Sequence, residues 1–104
     1  MSAPNDQTSP SDIGLSEKAP VIVKRAHPIY PDSARKARLE GEVWVKIWVT
    51  QNGGVKKVLV TKSSASIFNQ PAIDAAWKFV FTPAILDGKP IDVWVVFPFH
   101  FRLK

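Results

Sequence analysis

The stretch GEVWVKIWVTQNGGVKKVLVTK, residues 41–62, decides the fold. In it Val43, Val45, Ile47 and Val49 alternate with Glu42, Trp44, Lys46, Trp48 and Thr50, a period of two that puts one set on each face of a strand. Asn52, Gly53 and Gly54 tolerate the positive φ of a tight turn, and Val55 to Lys62 return with Val58 and Val60 on one face. The stretch therefore predicts a β-hairpin.

Working outward, Pro31 suits a first helical position, and DSARKARLE (32–40) predicts a two-turn helix closed by Gly41. Tyr30, Ala34 and either Ala37 or Arg38 would share its inner face. Before it, Val21 to Val23 form a short extended piece. After the hairpin, FNQPAIDAAWK (68–78) predicts a second helix, with Ala72, Ile73 and Ala76 continuing into Phe79 and Val80 as its apolar stripe. Ala72, Ala75 and Ala76 are small enough to let that helix lie close on a sheet. Asp87, Gly88, Lys89 and Pro90 make a turn, and Ile91 to Leu103 alternate as one long strand. The expected class is α+β, with two helices on one face of a small antiparallel three-stranded sheet. Pro98 cannot donate to a ladder, which places the last strand at an edge and the first strand of the hairpin in the centre.

Composition narrows the chemistry. The 104 residues suit one domain, and the absence of cysteine excludes disulfides, thiolate nucleophiles and Cys-based metal centres. No run of about 18 apolar residues and no basic-then-apolar leader occurs in the sequence as given. Residues 1–20, with Pro4, Pro10, Pro20 and four serines, are expected to be a flexible linker or terminal tail ahead of a domain at 21–104. Lys18 against Asp6, Asp12 and Glu17 leaves that tail at −2, so residues 21–104 carry +7. Such a charge suits an anionic or acidic partner.

Catalysis has little to stand on, and no enzyme activity, metal or cofactor is expected. His27 and His100 lie in unrelated contexts without matching carboxylates. Ser63 and Ser64 lack the turn that presents a nucleophile, and Gly53 and Gly54 lead into a strand, where a phosphate loop leads into a helix. The polar face of the sheet is more informative. Trp44, Trp48 and Trp94 would stand together there beside Leu59, Lys46 and His100, as an interface or as rings shielded by lysine stems. Aromatic residues on a basic sheet also invite an RNA-binding reading, but Val55 to Lys62, the strand that would carry the stacking aromatics, has none.

The run from Pro28 to Leu103 resembles the TonB C-terminal domain family. Pro28, Tyr30, Pro31 and Ala34 match its P-x-Y-P-x-x-A opening, and Glu40, Gly41, Val43, Val45 and Val49 its E-G-x-V-x-V strand. Gly54, Val55, Val58, Val60, Ser63 and Ser64 follow its second strand. Phe79, Phe81, Pro83 and Ala84 match W-x-F-x-P-A with Phe79 in place of Trp, Gly88 and Pro90 match a G-x-P turn, and Phe97 to Leu103 fit the closing strand. The chain departs from the pattern at Trp77, where the family tends to be polar, and in the bulk of Trp44 and Trp48. The resemblance implies the periplasmic, receptor-binding end of an energy transducer whose missing N-terminal region anchors it in the inner membrane and meets ExbB and ExbD. It would grip the TonB box of outer-membrane receptors by strand addition. The expected contacts are His27, Pro28 and Tyr30 in the loop and Val93, Trp94, Val95 and Val96 on the last strand, with Trp44 and Trp48 as a second interface or a route to a homodimer. The alternative is a TolA-like domain of another envelope assembly.

Overall fold

The computed structural model describes residues 11–12 and 16–104. Its elements in chain order are β1 (Ser11–Asp12), β2 (Ile22–Lys24), α1 (Asp32–Lys36), β3 (Gly41–Val49), β4 (Val55–Ser63), a 3-10 turn (Ser66–Phe68), α2 (Asn69–Trp77), β5 (Val80–Phe81), β6 (Ala84–Leu86), β7 (Lys89–Ile91) and β8 (Val93–Phe101). The rest of the expected tail, residues 1–10 and 13–15, lies outside the described residues.

The hairpin forms as the alternation requires. Val43, Val45, Ile47 and Val49 are fully buried, and β3 lies between β4 and β8, antiparallel to both. Burying four such side chains contributes on the order of 1.5–3 kcal/mol each. Two single-residue bulges in β4, at Thr61 and Lys56, re-phase the return strand, so Trp44 lies opposite Lys62 while Val45 lies opposite Val60. The hairpin tip is tied at both ends: Gly53 N–H donates to Thr50 O, and Gly53 O accepts from Phe81 N–H at 2.8 Å. Gly53 holds φ +87°, and a Cβ there would sit 1.9 Å from Phe81 O. Only glycine fits where the turn presses on β5.

The expected three-stranded sheet is an undercount. Among the described residues the main sheet has four strands in the order β1-β8-β3-β4, and two smaller sheets pair β2 with β5 and β6 with β7. The single strand expected over Ile91–Leu103 is also divided. Lys89–Ile91 turns back on Ala84–Leu86, and Asp92 separates it from β8. Local alternation is continuous across this point, so the sequence pattern could not mark the change of sheet.

The helices cover one face. Ala72, Ala75 and Ala76 of α2 are buried against β3 and β4. The 3-10 turn delivers Phe68 into the centre, where its ring stacks on Phe101 at 4.4 Å and meets Tyr30 edge-on at 5.7 Å. Phe79, in the place of the expected Trp, is buried against Phe81, Phe97 and Phe99.

The first helix is shorter than expected, and Gly41 does not close it. It ends at Lys36, and Arg38 takes the left-handed conformation, φ 55°. Leu39 N–H returns to Ala34 O and Arg38 N–H to Arg35 O, a Schellman closure with arginine where glycine is usual. Gly41 instead opens β3, where an added Cβ would meet Ser64 Oγ at 2.6 Å and the Phe68 ring at 2.7 Å.

Two substitutions test these assignments by chemical denaturation. Arg38→Gly should raise stability by about 1 kcal/mol through relief of the left-handed penalty. Gly53→Ala should lower it by at least about 2 kcal/mol, since strain and overpacking coincide there.

Candidate functional site: the open edge of the main sheet

The backbone of β8 has two sides, and the hydrogen bonds of β3 identify them. Glu42 O accepts from Ser64 N–H, and Trp44 O accepts from the Thr61 hydroxyl, so even-numbered residues of β3 turn their peptide groups toward β4. Odd-numbered residues then face β8. Directly opposed residues of an antiparallel pair either both face each other or both face away. By the pairing of Val43 with Phe99, Val45 with Phe97, Ile47 with Val95 and Val49 with Val93, those four β8 residues bond back to β3. Trp94, Val96, Pro98 and His100 turn theirs to the outer edge. Pro98 therefore sits where its missing N–H removes nothing from the β3–β8 ladder.

The last strand, expected at an edge, is second in the sheet: β1 pairs with it in parallel at Val93 and Trp94, a contact from a distant part of the chain that Pro98, lying further along, does not oppose. From Val95 to Phe101 β8 has no further strand beside it among the described residues. The end at Pro98 and His100 is bordered by the loop before α1. Arg25, Ala26, His27 and Pro28 face Phe97, Pro98 and Phe99 across a cleft of about 200 Å³. The Arg25 guanidinium lies over the Phe97 ring at 5.6 Å. On its other side the same loop forms a second, mainly apolar groove against α2, where His27, Pro28 and the exposed Ile29 face Ile67, Pro71 and Ala75.

The expected site residues divide accordingly. His27 and Pro28 border the edge at Phe97–His100, beyond the Val93–Val96 run. Val96 is 58% exposed on the outer face, whereas Val93 and Val95 point into the core and offer no side chain to a partner. Tyr30 is a packing residue: its hydroxyl donates to Leu39 O, its ring meets Phe68 and Phe101, and Arg35 lies over it at 5.2 Å.

Trp44, Trp48 and Trp94 do share the outer face by register, with Trp44 opposite Pro98 and Trp48 opposite Trp94. Only the last two are in ring contact, at 5.6 Å between centroids. Lysine heads lie over both: Lys46 Nζ is 4.8 Å from the Trp94 ring and Lys56 Nζ 4.7 Å from Trp48. The shielding expected of lysine stems thus takes the form of cation–π contacts.

Asp92 is the organising residue that sequence reasoning missed. Its carboxylate accepts Trp48 Nε1–H at 2.8 Å and Gln51 N–H at 3.0 Å, tying the outer face to the hairpin tip at the start of β8. Its one available signal was a lone acid in an apolar run. Trp94 differs from its neighbour. It is 8% exposed, and its buried Nε1–H finds no acceptor among the described residues. Among those residues no group of three or more His, Asp or Glu is gathered to hold a metal, and no helix is long and apolar enough to cross a membrane.

A helix-backed sheet whose β8 strand is unpaired on one side from Val95 onward, with a loop bordering that side, defines the class: a small α+β domain. Residues 26–103 match the family model described as Gram-negative bacterial TonB protein C-terminal, and the chain belongs to that family. Protein TonB of Vibrio cholerae is 33% identical over 91 residues, which cover 86% of this chain and 37% of the relative. Protein TonB of Xanthomonas campestris is 36% identical over 96 residues, covering 90% and 42%. Protein tonB2 of Pseudomonas aeruginosa is 34% identical over 78 residues, covering 74% and 29%. The chain thus spans less than half the length of these relatives. The solution structure of the P. aeruginosa TonB C-terminal domain shares the fold at a TM-score of 0.70 and 22% identity, over 93% of this chain and 97% of that one.

Asp92→Ala should cost about 1–3 kcal/mol, because it leaves the Trp48 indole and the Gln51 amide without their charged acceptor. The Trp48 Nε1–H proton resonance should move upfield in the folded variant. An unmoved resonance would show that the contact is not formed in solution.

Proposed function

We propose that this domain is the periplasmic receptor-binding module of a TonB-type energy transducer, and that it takes the TonB box of an outer-membrane transporter as an added strand on β8. The observation that carries this reading is the outward-facing peptide groups of Trp94, Val96 and His100 on a strand whose other side is locked into the sheet by nine residue pairs with β3. Main-chain bonds to that edge supply affinity without demanding a particular peptide sequence. Val96 and the cleft formed by His27, Pro28, Phe97 and Pro98 supply the side-chain contacts.

The same geometry suits transmission of force. A load along an added strand is shared among several hydrogen bonds, each worth about 1 kcal/mol net, so the grip resists shear and still releases. In the intact protein, a membrane-anchored region ahead of residue 1 would couple this grip to ExbB and ExbD at the inner membrane. The net +7 over residues 21–104 favours approach to acidic segments at the periplasmic mouth of a transporter. The Trp44–Trp48 face is a second contact surface in this reading, for the receptor or for another copy.

Proline substitution separates the two sides of β8. Val96→Pro removes an edge-facing N–H and leaves the β3 ladder whole; Val95→Pro removes a ladder donor. The first variant should remain folded and lose at least tenfold in affinity for a synthetic TonB-box peptide, measured by calorimetry, while the second should unfold. Undiminished affinity in folded Val96→Pro would refute edge addition. Peptide-induced NMR shifts centred on Trp44 and Trp48, with Val93–Val96 unmoved, would transfer the site to the sheet face.

A further inference from the structure

We infer that the chain carries its own competitor for the β8 edge: the Ser11–Asp12 strand occupies the first positions of the receptor site and must leave before a receptor peptide can pair there. This rests on the edge-addition reading above. Ser11 pairs with Val93 and Asp12 with Trp94 in parallel, and Trp94 is the first β8 residue whose peptide groups face outward. An incoming strand that runs along Val93–Val96 needs those same groups.

Three features make the resident strand an occupant that holds and yet can be displaced. It is tethered to the body a few residues later, where Glu17 N–H donates to Ile85 O at 2.6 Å and Ile85 N–H donates to Lys18 O at 3.0 Å. The tether keeps its local concentration high, so even a weak pairing is populated. The tail carries −2 against +7 on the remainder, which adds an attraction that salt weakens. Finally, the pairing spans two residues and coexists with the unmet buried Nε1–H of Trp94. A longer strand gains more main-chain bonds, and one that brings an amide or carboxylate oxygen to that indole also satisfies a buried donor that is unmet among the described residues.

The functional consequence is a threshold. A receptor peptide sees an affinity lowered by the fraction of domains whose edge is free. Anything that draws the tail away, including tension on the chain ahead of residue 11, raises that fraction and tightens the grip.

The test uses the full chain and a Ser11→Pro/Asp12→Pro variant, in which neither position can donate to the ladder. Amide hydrogen exchange reads the edge without any ligand. The Trp94 amide should exchange at least about threefold faster in the variant, while the Val95 amide, bonded back to β3, should be unchanged. A synthetic TonB-box peptide should bind the variant more tightly by a similar factor, and high salt should narrow the difference. Equal Trp94 exchange in the two proteins would overturn the inference. Equal peptide affinities at Val93–Val96 would overturn it too, and would leave receptor binding at the edge standing. Faster Trp94 exchange in the variant with no peptide bound by either protein would uphold the resident strand and refute the receptor reading.

Discussion

Everything in this domain depends on the pairing of β3 with β8. Nine consecutive residue pairs, from Gly41 with Phe101 to Val49 with Val93, run without a bulge. A slip of one residue would send Val93, Val95, Phe99 and Phe101 to the solvent face and bring Trp94, Val96 and His100 inward. The same register decides which peptide groups of β8 are spent in the ladder and which remain on the edge. Core and open edge are therefore one constraint seen from two sides.

The aromatic distribution follows from that register. On the inner face Phe68, Phe101, Phe79, Phe97, Phe99 and Tyr30 pack through stacked and edge-on contacts, an economical way for a domain of this size to fill its core. On the outer face Trp48 and Trp94 are held together, roofed by Lys46 and Lys56 and anchored by Asp92. The His100 Nδ1 to Glu42 Oε2 contact at 3.1 Å adds a polar cross-strand pair at the far end of the same face.

Much of the fold was legible in the residues. Strict alternation over 42–50, the Asn52-Gly53-Gly54 turn and the alanine-rich stripe of 68–78 each specify an element by local pattern, whereas Pro98 suggested an edge strand and β8 is second in the sheet, with β1 beside its first two residues. Features that depend on distant partners were not legible. Ile91 and Val93 belong to one alternating row yet serve different sheets. Gly41 looks like a helix stop, whereas its lack of a side chain is used by Phe68 and Ser64. Arg38 adopts a glycine-like conformation because the chain must turn sharply from α1 into β3, and no local propensity announces it. Of the candidate site, β8 was legible as a strand with bonding groups to spare but not as the inner strand that β1 makes it, and the role of Asp92 and the packing of Tyr30 on Phe68 required contacts across 44 and 38 residues of chain.

By itself the sequence determined the hairpin, both helices, the positive charge of the folded part and the membership of a recognisable family, since each is written in short-range periodicity, composition or ordered motifs. Only the tertiary structure decided which side of β8 is free, what borders that edge and what already rests on it. Peptide-group direction alternates along every strand, and it acquires a meaning only when neighbouring strands have taken their places on either side.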